Sequence, residues 1–229
     1  MAKQKTAARK SAAKSSAKKK QQQERTYPKG VEVLSSKVSF DGPIFRVVTD
    51  EVMEPGGKGP QRRDVVRHGG SVVVLAVDDA KSKRDPLILL ERQYRHAAGQ
   101  YLYEIPAGKI DAGEESLPAA KRELLEETGY QAKHWSKLVR FFASPGFLGE
   151  WMQVYLAEGL TPGNAQPEDD EQIELFAVPL SELLRQIEAG RILDGKTIAA
   201  TLLYDRFRKE RARAERAAAR AEAAAAGSS

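Results

Sequence analysis

The sequence has 229 residues, 41% of them hydrophobic and 30% charged, which is typical of one globular domain with at most a small second one. It contains no cysteine and three histidines, which excludes disulfides, Cys-ligated zinc and thiol nucleophiles and leaves little material for a His-rich metal centre. No apolar run approaches the ~18 residues of a membrane helix, and the basic N terminus lacks the apolar core of a secretory signal. We therefore expect a cytoplasmic protein that makes no membrane contact.

The net charge of +5 is concentrated at the two ends of the sequence. Residues 1–25 carry nine Lys or Arg and one Glu, and residues 205–229 carry seven Lys or Arg and four acidic residues, so the part between them is acidic. Residues 1–25 cannot bury enough apolar surface to offset the entropy of ordering, which predicts a disordered basic arm. This arm is either a solubilising tail or a weak, nonspecific contact for nucleic acid. The Ala/Arg-rich residues 208–229 are expected to form a solvated helical tail.

Residues 26–68 alternate apolar and polar residues between turn signals, a pattern that is typical of short strands. Turns are expected at Asp41–Pro43 and at Pro55–Gly57. The segment predicts a small N-terminal antiparallel sheet with strands at Val31–Leu34, Lys37–Phe40, Ile44–Val48 and Asp64–Val66.

Residues 69–207 predict a larger α+β domain in which strands and helices are mixed. Near-continuous apolar runs and short alternating segments indicate six strands. They lie at Ser71–Val77, Pro86–Glu91, Tyr101–Ile105, Leu138–Ala143, Met152–Ala157 and Glu174–Val178.

Three helices are expected in this domain. The clearest covers residues 116–128, with Ser116 as its N-cap and Gly129 as its C-terminal stop. The other two are expected at residues 181–189 and 197–226.

The first of these helices carries three glutamates on one face. Glu123, Glu126 and Glu127 stand at positions i, i+3 and i+4, and Arg122 is placed to pair with Glu126. Like charges at this spacing repel, and a hard divalent cation converts the repulsion into ligation. A set of oxygen ligands without histidine indicates Mg²⁺ or Mn²⁺ rather than Zn²⁺. The glycines at 108 and 113 allow the preceding loop to approach the metal and an anionic ligand.

This segment resembles the Nudix box, G-x5-E-x7-R-E-U-x-E-E-x-G-U, in which U is a bulky aliphatic residue. The matching residues here are Gly108-x5-Glu114-x7-Arg122-Glu123-Leu124-x-Glu126-Glu127-x-Gly129-Tyr130. Tyr130 at the last position is the one departure. Three further segments resemble the ADP-ribose pyrophosphatase branch of that family, so that the resemblance covers about residues 27–207. They are Gln93–Arg95, Glu104–Gly108 and Ser144–Phe147, with Pro145 fifteen residues past Tyr130.

The resemblance implies a Nudix fold, in which a mixed β-sheet lies between helices, preceded here by the small sheet. It also implies hydrolysis of the diphosphate bond of a nucleoside diphosphate sugar, with ADP-ribose giving AMP and ribose 5-phosphate. Carried over by position, Glu123 and Glu127 bind the metal with the carbonyl of Ala107. Glu126 pairs with Arg122 and holds it, with a contact to a metal as a further option, and both are counted among the catalytic residues. Glu114 braces the loop.

An acidic segment in a Pro/Gly-flanked loop, Glu168–Glu171, is expected to close over the substrate. The resemblance implies a general base or a further metal ligand here. Glu171 is the favoured ligand, and Asp169 or Glu168 is the candidate base, with Asp169 and Glu171 both counted among the catalytic residues.

Substrate contacts are expected from residues on several segments. Arg95 offers a bidentate fork to phosphate or ribose, and Glu104 and Glu150 flank the expected cleft. The resemblance adds Ser144 and Gly146, and it adds Arg63, with Phe45, as residues that reach the site of a second copy in a homodimer. These candidates for substrate binding are Arg63, Arg95, Glu104, Ser144, Gly146 and Glu150.

Two alternative functions remain open at this point. Within the same chemistry, the substrate is GDP-mannose, a dinucleotide or another nucleoside diphosphate. From a different class, the chain is a ligand-sensing or nucleic-acid-binding protein on a Nudix scaffold, with residues 1–25 as the binding segment. Retention of Glu123, Glu126 and Glu127 favours the enzyme.

Overall fold

The structure, a computed structural model, describes residues 27–163 and 172–226. The predictions for residues 1–25 and for the acidic loop at Glu168–Glu171 therefore lie outside the described residues. Among the helices of the described ranges, none is both long and apolar enough to cross a lipid bilayer.

The chain divides into two compact units between Arg67 and His68. The first unit contains a three-stranded antiparallel sheet, as predicted, in the order β1-β2-β3. Val48 and Val52 of its central strand are buried. The strands are β1 (Glu32–Asp41), β2 (Arg46–Met53) and β3 (Gln61–Arg67).

Strand β1 joins two segments that the sequence predicts as separate strands. The polar residues between them continue the strand because they bond across the sheet to β2. Ser36 donates a hydrogen bond to Asp50 at 2.6 Å, and Ser35 donates one to Glu51 at 3.5 Å. The pairing shifts register by one residue at two irregularities in β1, one before Ser35 and one before Phe40.

The described part of the second unit contains a seven-stranded mixed sheet. Its main path runs β10-β5-β4-β9-β8, with β6 added to β5 and β7 added to β4. β4 and β9 are parallel, and the other pairs are antiparallel. The strands are β4 (Ser71–Asp78), β5 (Leu87–Arg95), β6 (Gln100–Glu104), β7 (Ala107–Lys109), β8 (Tyr130–Phe142), β9 (Trp151–Pro162) and β10 (Ile173–Pro179).

Helices cover both faces of this sheet, as expected for the predicted α+β class. Alternate residues of β4 point to opposite faces, because side chains alternate along a strand. One face packs against helix α1 (Ser116–Thr128) through residues that include Val72, Val74 and Leu124. The other face packs against helices α2 (Leu180–Glu188) and α3 (Gly195–Ala226).

Two details of the sequence prediction are corrected by this fold. Ser116 is not the N-cap of α1: that position is Glu115, which makes no side-chain cap, and the Ser116 hydroxyl instead bonds to the hydroxyl of Tyr155 at 2.7 Å. Strand β8 begins at Tyr130, well before the predicted Leu138, because its first half pairs with β9 although much of its outer face is polar and exposed. The predicted stop at Gly129 is confirmed, with φ +72°.

Candidate active site

The three glutamates of α1 divide into a buried pair and a half-exposed residue. Glu123 and Glu127 are 9% and 7% exposed, whereas the side chain of Glu126 is 37% exposed. The buried pair faces β7, the short strand that the sequence predicts as a loop. The site is therefore built where one turn of α1 crosses β7.

Glu123 lies directly against the main chain of Gly108 in β7. A β-carbon placed on Gly108 would fall 2.0 Å from Cδ of Glu123, so only glycine permits this approach. One turn further along α1, Glu127 accepts a hydrogen bond from the backbone N–H of Ala107 at 3.1 Å. Adjacent residues of β7 thus contact both buried carboxylates.

Arg122 binds carboxylates of both the helix and its preceding loop. The predicted pair with Glu126 is present at 2.9 Å, and Arg122 also donates to Glu123 at 2.8 Å and to Glu114 at 2.9 Å. Glu114 also accepts from the N–H of Asp111, which ties it into the loop as expected for a brace. The hydrogen bond from Arg122 holds the pKa of Glu114 below its usual value, and the same contacts raise the pKa of Arg122.

The donor set of this site is suited to a hard cation. Glu123 and Glu127 supply buried carboxylate oxygens, and the contacts described above bring Arg122 to Glu123 and the N–H of Ala107 to Glu127. No cluster of three or more acidic or histidine side chains in the described residues is arranged as a metal site. Mg²⁺ fits such a site because it keeps few protein ligands and completes its shell with water and phosphate.

A cavity of about 360 Å³ opens beside β7. Its walls come from five strands, from the loop residue before β9, and from the residues at the start of α3. The lining residues are Ser71, Arg95, Leu102, Glu104, Ala107, Gly108, Lys109, Glu150, Met152, Asp194 and Lys196. Ala107 and Gly108 therefore touch both the cavity and the buried glutamates of α1.

Glu104 is the centre of a buried charge network in this cavity. It is 2% exposed and binds the guanidinium of Arg95 through two parallel hydrogen bonds, each of 2.8 Å. Lys196 donates to the same carboxylate and also to Asp194, at 3.0 Å for the latter. The bidentate fork of Arg95, which the sequence analysis assigned to phosphate or ribose, is thus occupied by Glu104.

Pairing with Arg95 and Lys196 favours the ionised form of Glu104. Burial raises the pKa of Glu104, but the hydrogen bond from Arg95 and the charge of Lys196 outweigh that effect and bring the pKa below 4.5. The hydrogen bond to Glu104 is also the main cause of the raised pKa of Arg95.

The sequence prediction missed Asp194 and Lys196. Asp194 caps α3 by accepting from the N–H of Thr197 at 3.0 Å and from its hydroxyl at 2.6 Å. Lys196 sits in the first turn of that helix, where the macrodipole disfavours a cation. A lysine in that position after a capping aspartate was the available signal, since a locally unfavourable choice often marks a functional residue.

The other predicted substrate residues are dispersed. Glu150 lines the cavity and accepts a hydrogen bond from Ser71 at 2.6 Å. Ser144 and Gly146 lie in the turn after β8 and are not among the described residues that line the cavity. Arg63 belongs to the first unit, where it forms two hydrogen bonds to Glu54. Asp169 and Glu171 lie outside the described residues.

Comparison with known proteins places the chain in a family. The family model of the NUDIX domain matches residues 67–200. The chain is 37% identical over 171 residues to an ADP-ribose pyrophosphatase of Bacillus subtilis (strain 168), covering 74% of this chain and 89% of that protein. It is 38% identical over 174 residues to an ADP-ribose pyrophosphatase of Mycobacterium tuberculosis, covering 75% and 81%.

Two further similarities extend this result. A methanol dehydrogenase activator of Bacillus methanolicus is 35% identical over 171 residues, covering 74% of this chain and 89% of that protein. The crystal structure of an ADP compounds hydrolase superposes with a TM-score of 0.66 at 21% identity, covering 82% of this chain and 98% of the other, which shows a shared fold. The chain belongs to the Nudix family, and the predicted fold is confirmed. It is a Nudix hydrolase.

The variant Gly108→Ala should displace Glu123 and lower activity while leaving the stability of the fold nearly unchanged. The added methyl group displaces the flexible end of Glu123, so we expect the free energy of unfolding to fall by less than about 1 kcal/mol. Hydrolysis should fall at least about ten-fold, because small displacements of catalytic groups are costly.

The matched control is Gly69→Ala, whose new methyl group would meet nothing closer than 3.9 Å. Steady-state kinetics and chemical denaturation measure both variants. Equal activity in the two would show that contact with Gly108 does not position Glu123.

Glu104→Gln should destabilise the protein in a pH-dependent way. It leaves Lys196 and Arg95 without their shared counterion, so we expect a loss of about 3 kcal/mol near neutral pH. Because the folded-state pKa of Glu104 is lowered, its ionic contribution is complete above 4.5 and is lost as the pH falls through the folded value. The difference between wild type and variant should therefore shrink in acid.

Chemical denaturation over a series of pH values measures this difference. The control is Glu174→Gln, which removes a carboxylate that pairs with Arg92 but is 69% exposed, and which should cost less than about 1 kcal/mol. A difference for Glu104→Gln that stays constant with pH would contradict the role of its charge.

Proposed function

We propose that the protein hydrolyses the diphosphate bond of ADP-ribose, adding water to give AMP and ribose 5-phosphate, in a reaction that depends on Mg²⁺ or Mn²⁺. The observation that carries the proposal is that β7 contacts the buried carboxylates of α1 and also lines the cavity. Ala107 and Gly108 hold the buried carboxylates of α1 and also line a cavity that contains Arg95 and Lys196. Metal ligands and cations suited to phosphate therefore meet at one strand.

Glu123, Glu127 and the carbonyl of Ala107 would hold the metal. A bound divalent cation lowers the pKa of a coordinated water and offsets the negative charge of diphosphate oxygens. Arg122 keeps the carboxylates of Glu123 and Glu126 in fixed positions through the hydrogen bonds described above. The choice of Mg²⁺ or Mn²⁺ follows from a set of oxygen donors.

We assign to the two cationic side chains of the cavity, Arg95 and Lys196, the role of binding the substrate's diphosphate. Arg95 uses Nε and Nη2 to bind Glu104, which leaves its Nη1 edge for a phosphate or ribose oxygen. Lys196 has three donors, of which two contact Glu104 and Asp194. Both cations are held in place before substrate arrives, so little ordering entropy is lost on binding.

ADP-ribose is favoured as the substrate by the two relatives described as ADP-ribose pyrophosphatases, at 37% and 38% identity. The relative described as a methanol dehydrogenase activator shows that a similar sequence is also known for a different role. Glu123, Glu126 and Glu127 are all retained here, which supports hydrolysis rather than a sensor or binding protein on the same scaffold.

A substrate panel tests this proposal directly. ADP-ribose, ADP-glucose, GDP-mannose, NADH and a diadenosine polyphosphate are each incubated with the full chain and Mg²⁺, and the products are identified by chromatography. We expect the highest kcat/KM for ADP-ribose, equal amounts of AMP and ribose 5-phosphate, and no turnover with a chelator. A higher kcat/KM for GDP-mannose would reassign the substrate, and no hydrolysis of any compound would overturn the proposal.

Glu127→Gln should keep the fold and lower Mg²⁺-dependent turnover of ADP-ribose by at least ~10²-fold, because it removes a charge from the metal site. Glutamine retains an oxygen that can accept from the N–H of Ala107. The control is Glu188→Gln at the exposed end of α2, which should retain wild-type kinetics. Wild-type turnover in Glu127→Gln would remove this residue from the site.

Three further parts of the proposal rest on the sequence resemblance. Asp169 or Glu168 is proposed as the general base, with Glu171 as an additional ligand, and Ser144 and Gly146 are proposed to contact substrate. A homodimer is proposed in which Arg63 reaches the partner's site. The exposed apolar side chains of Leu34, Val38 and Phe40 in β1 support a partner surface. A cytoplasmic location is also proposed.

A further inference from the structure

Helix α3 extends far beyond the part that packs on the second unit. Ala200 and Tyr204 belong to the core, and between Arg206 and Arg220 most side chains are exposed. We call residues 206–220 the outer segment. It contributes nothing to the cavity or to the acidic face of α1.

Five basic residues of the outer segment follow a strict spacing. Steps of three, four, three and four residues place them on one face of the helix, within about a quarter of its circumference. All five side chains are exposed. They span about 21 Å along the axis at 1.5 Å per residue. This cationic stripe consists of Arg206, Lys209, Arg213, Arg216 and Arg220.

The acidic residues nearby neutralise only the inner end of the stripe. Glu210 binds Arg206 at 2.9 Å and Asp205 binds Lys209 at 2.6 Å, whereas Glu215 binds Arg211, which lies off the stripe. Within the described side chains, the other three members of the stripe have no acidic partner at ion-pair distance. The outer end of the stripe is thus a row of solvated cations.

Helix stability does not account for this alignment. Like charges three and four residues apart destabilise a helix by a few tenths of a kcal/mol per pair. The macrodipole favours cations only in the last turn, and α3 continues to Ala226, beyond Arg220. An aligned row of this kind fits a partner that presents its own row of negative charges.

The composition of the outer segment selects the kind of partner. A helix that binds an anionic membrane lays a large apolar face into the lipid. Here the ten remaining residues are five alanines, two arginines, two glutamates and Phe207, which is the single large apolar residue of the described segment. Double-stranded nucleic acid instead offers regularly spaced phosphates and needs no apolar contact.

We propose that the cationic stripe of α3 binds the phosphate backbone of double-stranded nucleic acid without base specificity. Binding proceeds by counterion release, so its strength depends steeply on salt. The interaction is separate from the hydrolytic site, because no residue of the stripe lines the cavity. It also does not depend on the identity of the substrate proposed above.

The test compares two triple variants of the full chain. Arg213→Gln, Arg216→Gln and Arg220→Gln together neutralise the outer end of the stripe, and glutamine preserves helix propensity. Lys81→Gln, Lys133→Gln and Lys137→Gln remove the same charge from exposed positions outside α3. Fluorescence anisotropy measures binding to a labelled DNA duplex of about two helical turns, in two unrelated sequences, over a series of salt concentrations.

For the stripe variant we expect at least a roughly ten-fold loss of affinity, and a decrease of about 2 to 3 in the slope of log K against log salt. The control variant and both DNA sequences should behave like wild type and like each other, and ADP-ribose turnover should be unchanged. An equal loss of affinity in both variants would show that only the net charge of the protein matters, and it would overturn the proposal. So would unchanged binding in the stripe variant, or binding to phosphatidylserine vesicles but not to duplex DNA.

Discussion

The contact between the Glu123 carboxylate and the main chain of Gly108 is the constraint on which the candidate site depends. Helix α1 and strand β7 are each fixed from behind. Leu124 anchors the helix in the core, and backbone pairing with Val72 fixes Gly108 in the sheet. These contacts hold α1 and β7 close together, so little space remains between them for the side chain of Glu123. A residue without a β-carbon is what allows a charged side chain to occupy it.

Two charge centres of opposite sign organise the surroundings of this contact. Arg122 is surrounded by carboxylates, and Glu104 is surrounded by cations. Each centre keeps several like charges close together in a defined geometry, which would otherwise be unfavourable. Such preorganisation is useful for phosphate chemistry, because the groups that meet developing charge need no rearrangement at the moment of reaction.

Local features of this site could be predicted from the sequence. The acidic face of α1 and its stop at Gly129 follow from spacing within one helix, and the structure confirms both. The features that were missed depend on distant partners. Lys196 meets Glu104 across a sequence separation of 92 residues, and no local pattern predicts that meeting. The hydroxyl of Ser116 is likewise taken by Tyr155 rather than by the helix end.

The dependence on distant partners also explains the errors in the predicted strand boundaries. Ser35 and Ser36 indicate a break when read alone, but cross-strand bonds to β2 continue the strand through them. The first half of β8 is polar, and its sequence alone does not indicate a strand. It forms one because its backbone pairs with β9. The roles of Ser144, Gly146 and the acidic loop stay predictions, since the first two lie away from the cavity lining and the loop lies outside the described residues.

The parallel pairing of β4 with β9 has a consequence for how the chain reaches its native state. Ser71 pairs with Met152, so the centre of the sheet closes a loop that contains β5, β6, β7, α1 and β8. The entropy of closing such a loop is lost before the pairing repays it, which makes topologies of this kind slow to fold. Until closure, the six consecutive apolar residues Val72–Val77 are exposed to water and to other chains. Rapid covering of that segment is therefore a condition for producing the protein without aggregation.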